Sequence, residues 1–197
     1  MTDQRVLKPG ATIGILGGGQ LGRMLALAAA RLGLKCHIYA PDGDNPAFEV
    51  AHQATAAGYD DTAALAQFSQ SVDVATYEFE NVPLPAASVV EGHVPLYPPP
   101  SALEVSQHRV NEKQFFNDAG IATAGWLHAQ TVDELVELAS SRLATDGASG
   151  IMKTCRLGYD GKGQARVSSA DELRTAWDVL GGQDLIFEWL VPFAREV

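Results

Sequence analysis

A short apolar run that leads directly into a glycine-rich turn limits the fold of this chain more than any other feature. Thr12 to Leu16 reads as a buried strand, and a helix is predicted from about Gln20 to Leu32. Between them, the three positions of the G-x-G-x-x-G pattern are filled by Gly17, Gly19 and Gly22. A strand that enters a helix through such a turn predicts a parallel α/β sheet of the Rossmann type.

The glycine-rich turn also predicts an anion site, because a helix N-terminus presents unpaired N–H groups and the positive end of the helix dipole. Asp42 follows the second predicted strand, Lys35 to Tyr39, close to where the ribose-binding acid of a dinucleotide fold would stand. A nicotinamide- or flavin-binding protein is therefore one hypothesis. Asp42 also lies in the turn-forming sequence from Pro41 to Pro46, which favours a role in the turn itself.

Acidic residues follow a later strand of the same predicted sheet. This strand, Val72 to Tyr77, runs directly into Glu78. Ligands of open α/β sheets bind outside the carboxyl ends of the strands, so Glu78 is the first candidate for a ligand contact. The alternative is that Glu78 and Glu80 are a solvated loop pair, or that Glu80 and Asn81 help to start the next helix, and for Glu80 this alternative is favoured. A short strand is predicted from Val94 to Tyr97, and the three prolines that follow it mark the end of a first domain of residues 1–100.

The rest of the sequence predicts a smaller α+β unit. A helix is expected from Ala102 to Ala119, within a connector of residues 101–123, and residues 124–197 then read as β-α-β-β-α-β. Two capping boxes, Thr131 to Glu134 and Ser169 to Glu172, each predict the start of a helix. The last strand is predicted from Leu185 to Trp189.

The two middle strands of this second unit are joined by the sequence KTCRLGYDGKGQ, from Lys153 to Gln164. Closely spaced glycines expose successive N–H groups that can surround an oxyanion, and cationic side chains add attraction. The glycines and cations of the segment are Gly158, Gly161, Gly163, Lys153, Arg156 and Lys162. The segment predicts a phosphate-binding hairpin, with an ordinary surface hairpin carrying solvated lysines as the alternative.

Net charge limits the kinds of partner. The formal charge of −10 opposes binding to a nucleic-acid backbone or an anionic membrane, so an anionic ligand needs a local cationic pocket. Cys36 and Cys155 are the only cysteines, which predicts buried thiols in a reducing compartment, and neither resembles part of a metal site. No signal peptide and no run of about 20 apolar residues is present, so the cytoplasm is the expected location.

Several strings, taken together and in order, resemble the 5-(carboxyamino)imidazole ribonucleotide synthases of the ATP-grasp superfamily. They are Ile15–Met24, Thr76–Asn81, Gln107–Arg109 with Glu112–Lys113, Lys153 with Gly158–Gln164, and Glu188 with Glu196. The resemblance implies an ATP-dependent carboxylase of purine biosynthesis, acting on aminoimidazole ribonucleotide and forming a homodimer. It also implies a Rossmann-like pre-ATP-grasp domain that binds no dinucleotide, followed by the small ATP-grasp lid.

The resemblance further implies roles for individual residues. The substrate's 5′-phosphate is expected at the N–H groups of Gly19, Gln20 and Leu21, and its amine or ribose at Glu78. ATP is expected at Arg109, Lys153, Gly158, Tyr159, Asp160, Gly161, Lys162, Gly163, Gln164, Glu188, Trp189, Leu190, Val191 and Glu196. Bicarbonate is expected to attack the γ-phosphoryl group while Mg²⁺ neutralises charge. Tyr159 and Asp160 are the expected catalytic residues, Asp160 orienting the chemistry or accepting a proton, with a plain turn role as its alternative.

Two departures from the family pattern limit these expectations. His108 stands where the resemblance expects Asp, and the sequence stops at Val197, before the large ATP-grasp domain that would carry the Mg²⁺ ligands. The 197 residues alone are therefore expected to be an inactive fragment. Two alternatives stay open: another ATP-grasp carboxylase or ligase with a different acceptor, and a non-catalytic nucleotide- or NAD-binding module.

Overall fold

The computed structural model describes residues 6–145, 147–158 and 161–195. The chain divides into two compact units, one up to Glu104 and the other from Val105 onwards. Each unit has its own sheet and its own apolar core. Within the described residues, no helix has the length and apolar character that a membrane span requires.

The first unit is built on a four-stranded parallel sheet with the strand order β3-β2-β1-β4. Its strands are β1 (Thr12–Leu16), β2 (Lys35–Ala40), β3 (Gln53–Ala56) and β4 (Val74–Tyr77). Its helices are α1 (Gln20–Arg31), α2 (Thr62–Gln70) and α3 (Leu84–Glu91), with one turn of 3-10 helix at Phe48–Val50. The predicted parallel α/β architecture is confirmed.

Apolar residues cover both faces of this sheet, because successive side chains of a strand point to opposite sides. Ile15 and Ile38 pair in register and pack with Ala26 of α1 on one face. Leu16 and Tyr39 pair in register and pack with residues of α2 and α3 on the other face. The turn after β1 is therefore held between two packed layers.

The predicted fifth strand of this unit is wrong as a strand. Leu96 makes a single parallel bridge to Ala75 in the centre of β4, and the chain then turns away. The apolar sequence from Val94 to Tyr97 fits a sheet edge. The proline on either side of Leu96 and Tyr97 cannot donate to a ladder, which explains why pairing stops at one bridge.

A buried histidine lies in the first unit's core. His37 on β2 is 1% exposed. Its Nδ1 lies 2.7 Å from Ser71 Oγ and its Nε2 lies 2.8 Å from Thr55 Oγ1, so both ring nitrogens are satisfied. Burial, with the charge of His52 as a second cause, lowers the pKa of His37 to about 4. His37 is therefore a neutral structural residue at physiological pH.

The second unit is built on a four-stranded antiparallel sheet with the order β5-β8-β6-β7. Its strands are β5 (Trp126–His128), β6 (Gly150–Thr154), β7 (Gln164–Val167) and β8 (Leu185–Trp189). Helix α4 (Pro100–Ser106) carries the chain into this unit, and α5 (Arg109–Asp118), α6 (Val132–Leu143) and α7 (Ala170–Val179) follow. The predicted order β-α-β-β-α-β is confirmed for the segment that begins at β5.

Both predicted capping boxes are present. Thr131 Oγ1 accepts a hydrogen bond from the N–H of Glu134 at 3.3 Å, and Glu134 in turn accepts from the N–H of Gln130 at 3.1 Å. Ser169 and Glu172 repeat this arrangement at the start of α7, with 3.2 Å between Ser169 Oγ and the N of Glu172. These local bonds fix where α6 and α7 begin, and both helices pack on one core with β6 and β8.

The single helix predicted from Ala102 to Ala119 is wrong, because it is two helices. His108 has an extended backbone, with φ −128° and ψ 114°, and is the N-cap residue of α5. The N–H of Arg109 donates to the carbonyl of Cys155 at 3.0 Å rather than to a preceding helical turn. This bond to the end of β6 breaks the helix and starts α5 at Arg109.

Candidate functional site

Arg109 clamps the loop between β6 and β7. Its Nε donates to the carbonyl oxygen of Thr154 at 3.1 Å, and its Nη2 donates to the carbonyl oxygen of Gly158 at 2.7 Å. Together with the backbone bond to Cys155, these contacts attach the first residue of α5 to three positions of the loop and the strand before it. The rigid fork of a guanidinium suits this role, since it donates in two directions at once.

Glycine is required where the loop closes. Thr154 donates its N–H to the carbonyl of Gly163 at 2.9 Å, and Gly163 has φ 67°. A Cβ on Gly163 would lie 2.6 Å from Thr154 Oγ1. A Cβ on Gly158 would lie 3.1 Å from Arg109 Nη2. The closely packed glycines therefore let the hairpin tip fold against its own strand and against Arg109.

Two lysines converge on Glu188 near this hairpin. Lys153 Nζ lies 3.1 Å and Lys113 Nζ 3.4 Å from Glu188 Oε2, and the three side chains are 21%, 14% and 12% exposed, respectively. The cluster carries one more positive than negative charge. Coulombic attraction for an anion is stronger in such a partly dry setting than on an open surface.

The sequence analysis missed Lys113 as a site residue. Lys113 lies on α5, four residues after Arg109, and this spacing places both on one face of the helix. That spacing was the available signal. The spacing gave no indication of Glu188. Its carboxylate contacts both Lys113 and Lys153, which lie on elements far apart in sequence.

The end of β8 offers an apolar surface. Trp189 donates its N–H to the carbonyl of Gly125 at 2.8 Å, and Leu190 donates to Ser149 at 2.9 Å. The guanidinium carbon of Arg142 lies 4.2 Å from the centre of the Trp189 ring, a cation–π contact. A cavity of about 370 Å³ lies beside Trp189 and Leu190. The side chains of Leu190 and Val191 stay partly exposed and form a wall suited to a flat ligand.

In the glycine-rich turn of the first unit, the side chain of Glu78 accepts hydrogen bonds from the start of α1. The carboxylate of Glu78 accepts from the N–H of Gly19 at 3.1 Å and from the N–H of Gly22 at 3.3 Å. A carboxylate at this position caps α1 and is stabilised by the helix dipole. At Gly19 it holds the place predicted for a phosphate, whereas Gln20 and Leu21 are exposed at the same helix start.

Close packing explains the glycines of this turn. Gly17 has φ 111°, and a Cβ on it would lie 2.3 Å from Cγ of Glu78. A Cβ on Gly22 would lie 2.9 Å from the carbonyl oxygen of Gly17. These contacts bring α1 close to the turn and Glu78 close to both.

Tyr59 is a further candidate that the sequence analysis missed. Its hydroxyl is buried and has no hydrogen-bond partner among the described residues. Burial, followed by the charge of Glu78, raises the pKa of Tyr59, so the phenol stays protonated. A buried, unpaired donor close to Glu78 is suited to a polar ligand. Its position in a loop before α2 carries no sequence signal for such a role.

The remaining predicted residues fall into two groups. Gly161, Lys162 and Gln164 lie in the second half of the hairpin, with Gln164 as the first residue of β7. The expected catalytic residues Tyr159 and Asp160, and the expected ribose ligand Glu196, lie outside the described residues. The roles assigned to single residues stay predictions.

Comparison with known proteins agrees with the division of the chain into two units. Residues 10–107 match the ribonucleotide synthetase preATP-grasp domain, and residues 114–197 match the ATP-grasp domain. The N5-carboxyaminoimidazole ribonucleotide synthase of Brucella melitensis is 49% identical over 99% of this chain and 53% of the relative. The chain spans about half the length of the curated relatives it matches.

Solved structures agree with the sequence relatives. A crystal structure of the ADP complex of an N5-carboxyaminoimidazole ribonucleotide synthetase has a TM-score of 0.87 and 36% identity, covering 97% of this chain and 50% of that one. The Aspergillus clavatus N5-carboxyaminoimidazole synthase, in complex with ADP and 5-aminoimidazole ribonucleotide, has a TM-score of 0.78 and 27% identity, covering 94% and 48%. The resemblance inferred from the motifs is confirmed. The chain belongs to the ATP-grasp family, as a ribonucleotide synthetase preATP-grasp domain followed by ATP-grasp sequence.

Proposed function

We propose that this chain is the N-terminal half of an ATP-dependent carboxylase that converts 5-aminoimidazole ribonucleotide and bicarbonate into N5-carboxyaminoimidazole ribonucleotide, ADP and phosphate in de novo purine biosynthesis. The observation that carries the proposal is the pair of lysines, Lys113 and Lys153, that converge on Glu188 next to the glycine hairpin. Similar synthases have been crystallised with ADP and with 5-aminoimidazole ribonucleotide.

ATP is proposed to bind at the hairpin of the second unit. Lys113 and Lys153 attract the phosphates as point charges, and the N–H groups of the loop from Gly158 to Gln164 contact the phosphate oxygens. Arg109 acts as a positioning residue, because its fork already holds the carbonyls of Thr154 and Gly158. The apolar wall at Trp189, Leu190 and Val191 packs against adenine, and Glu196 accepts from the ribose hydroxyls.

The turn in the first unit is the proposed site of the aminoimidazole nucleotide. Glu78 accepts hydrogen bonds, so it suits the amine or the ribose hydroxyls of the substrate rather than its phosphate. The exposed start of α1 at Gln20 and Leu21, with Gly19, suits the 5′-phosphate. Tyr59 adds a protonated hydroxyl close to Glu78.

The chemistry of the proposal has two steps. Bicarbonate attacks the γ-phosphoryl group of ATP and releases ADP, and the exocyclic amine of the imidazole then takes up the carboxyl group with release of phosphate. Asp160 accepts the amine proton or orients the reactants, beside Tyr159. Mg²⁺ supplies charge neutralisation at the phosphates when bound. The grouping of potential metal ligands among the described residues includes a thiol, which Mg²⁺ does not favour, so it is not assigned to Mg²⁺.

The proposal includes a homodimeric protein in the cytoplasm, as the resemblance implies. It also includes the expectation that the 197 residues alone bind nucleotide without turnover. Sedimentation of the purified protein tests the homodimer. A phosphate-release assay tests the absence of turnover.

A binding experiment tests the nucleotide part. Isothermal titration of the 197-residue chain with ATP, NAD and 5-aminoimidazole ribonucleotide should detect ATP and the aminoimidazole nucleotide. Lys153→Met and Lys113→Met should each weaken ATP binding by about 10-fold, since each removes a charge from a partly dry site. Lys35→Met, at an exposed position in the first unit, is the matched control. Tighter binding of NAD than of ATP would overturn the proposal.

A chimera tests the reaction. Replacing the matching half of the Brucella melitensis relative with this chain restores full length, and the two share 49% identity over the exchanged part. We expect phosphate release that requires ATP, bicarbonate and 5-aminoimidazole ribonucleotide together. Release that ignores the aminoimidazole nucleotide, in a chimera that is folded, would assign the chain to a different ATP-grasp reaction.

A further inference from the structure

Three side chains with metal-ligating atoms converge in the second unit, away from the lysines at Glu188. They are His108 at the start of α5, Cys155 directly after β6 and Asp184 directly before β8. An imidazole nitrogen, the sulfur and a carboxylate oxygen all lie within 4.8 Å of one another, and His108 Nε2 is 2.9 Å from Asp184 Oδ1. Ligands of a tetrahedral zinc ion, at about 2.0–2.3 Å from the metal, stand roughly 3.3–3.6 Å apart. The ligand atoms must therefore move by about 1 Å or less to reach that spacing.

The backbone holds these three positions together. The N–H of Arg109, next to His108, donates to the carbonyl of Cys155 at 3.0 Å, and the N–H of Cys155 donates to the carbonyl of Asp184 at 2.9 Å. Asp184 has φ 50°, an uncommon conformation for a residue other than glycine. Ligands on a connected backbone need little rearrangement to bind an ion.

The hydrogen bonding of His108 is incomplete. Its Nδ1 is buried and has no partner among the described residues. The structural His37, in contrast, has partners on both ring nitrogens. A buried polar atom without a partner is costly, and the bond of Nε2 to Asp184 leaves this cost at Nδ1 in place.

We propose that His108, Cys155 and Asp184 bind one zinc ion. Thiolate, imidazole and carboxylate together suit zinc, and the thiolate argues against calcium or magnesium. On binding, the Cys155 thiol would release its proton to solvent, the sulfur–metal bond would form, and the hydrogen bonds of Asp184 to His108 and to Cys155 would open.

A cavity beside Asp184 gives an ion access to the cluster from solvent. Asp184 lies at the edge of a cavity of about 330 Å³ that His128 and Gln183 also line. His128 Nε2 lies 4.0 Å from Asp184 Oδ1. Water from this cavity would supply the fourth ligand, and a small movement would let His128 hydrogen-bond the carboxylate.

A bound ion would cross-link three elements of the nucleotide lid. Cys155 opens the loop that Arg109 clamps, and His108 is the residue immediately before Arg109. Zinc would therefore stabilise the loop at its first residue, Cys155, and next to Arg109. His108 stands where the family resemblance expects Asp, so the site is a property of this chain, and His108→Asp removes the imidazole while restoring the expected residue.

The test uses the purified 197-residue chain with Co²⁺ and Zn²⁺ as probes. We expect one ion per chain by calorimetry, a Co²⁺–thiolate charge-transfer band in the near ultraviolet, and loss of that band when Zn²⁺ is added. His108→Asp should weaken binding by at least about 10-fold, and Cys155→Ser should also remove the band. His93→Asp, an exposed histidine in the first unit, is the matched control for the imidazole, and Cys36→Ser is the control for a buried thiol.

Thermal unfolding gives a second readout. Zn²⁺ should raise the Tm of the parent chain and of the His93→Asp control, and should raise the Tm of His108→Asp by clearly less at the same Zn²⁺ concentration. If Cys155→Ser fails to fold, the His108→Asp comparison decides alone. No thiolate band in the parent, or equal zinc affinity of the parent and His108→Asp, would overturn the proposal. A band that persists in Cys155→Ser and disappears in Cys36→Ser would do so as well.

Discussion

The glycine-rich turn after β1 and the glycine-rich loop between β6 and β7 differ in the charged side chain that holds them. In the turn, the carboxylate of Glu78 accepts from backbone N–H groups. In the loop, the guanidinium of Arg109 donates to backbone carbonyls. A cation that binds carbonyls does not use the N–H groups of a loop, whereas a carboxylate does. The sign of the neighbouring charge, rather than the density of glycine, separates the two.

The largest expected effect concerns the fit of the first turn. Gly17→Ala should lower the free energy of unfolding of the first unit by about 3 kcal/mol, because it combines a left-handed backbone with a Cβ 2.3 Å from Glu78 Cγ. Denaturant unfolding measures this. Gly120→Ala is the control, with φ 77° and no atom within 4 Å of the added Cβ. Equal losses for both variants would mean that backbone strain alone matters and that Glu78 adjusts freely.

Acid should lower the free energy of unfolding of the first unit through protonation of His37. The pKa of His37 is about 4 in the folded first unit and near 6.5 in the unfolded chain, so the unfolded state takes up a proton first as pH falls. The stability contribution is complete above pH 6.5, decreases between pH 6.5 and 4, and totals roughly 3 kcal/mol. Unfolding free energies of the parent and His37→Gln should therefore converge as pH falls from 7 to 4. Parallel curves over this range would show that His37 is already charged in the core.

A third prediction concerns the loop. Arg109→Lys should lower the free energy of unfolding of the second unit by about 1–2 kcal/mol, because a lysine cannot donate to both carbonyls with a fixed fork. Amide hydrogen exchange between Cys155 and Gln164 should accelerate by roughly 10-fold. Arg166→Lys on the exposed side of β7 is the control. Unchanged exchange in the loop would mean that glycine packing alone holds it, and the contrast with the first turn would fail.

The smallest effect tests the carboxylate of the first turn. Glu78→Gln keeps one acceptor oxygen and removes the charge from the start of α1, so the free energy of unfolding should fall by about 1 kcal/mol. Added salt should reduce the difference, since the effect is partly electrostatic. Glu80→Gln, two residues on and exposed, serves as the control. A loss of equal size in both variants would contradict the cap.

Local sequence determined most of the fold. The strands from Thr12 to Leu16 and from Leu185 to Trp189 and both capping boxes depend on neighbours within a few residues, and the structure agrees with each prediction. The helix predicted from Ala102 to Ala119 failed for the opposite reason. Its break at His108 coincides with two long-range bonds: the N–H of Arg109 donates to the carbonyl of Cys155, 46 residues away, and His108 bonds to Asp184, 76 residues away.

The candidate site was predictable in part for the same reason. Glycines and cations of the hairpin are adjacent in sequence, so their cluster could be read directly. Glu78 was identified as a polar residue at a strand end, but its bond to Gly19 spans 59 residues and has no local signature. The meeting of Lys113 with Glu188 is equally long-range. Such contacts depend on how the sheet and helices pack, which periodicity does not describe.

On the proposed function, the carboxylate that caps α1 lets the first unit distinguish nucleotides from nucleosides. A ligand that draws Glu78 towards itself removes hydrogen bonds from Gly19 and Gly22. A ligand with a phosphate returns an acceptor to the same helix start, whereas a dephosphorylated ligand leaves those amides without one. Selectivity then arises because the phosphate replaces the hydrogen-bond acceptor that Glu78 gave to the start of α1. The ratio of the affinities for 5-aminoimidazole ribonucleotide and for its nucleoside should therefore be smaller in Glu78→Gln.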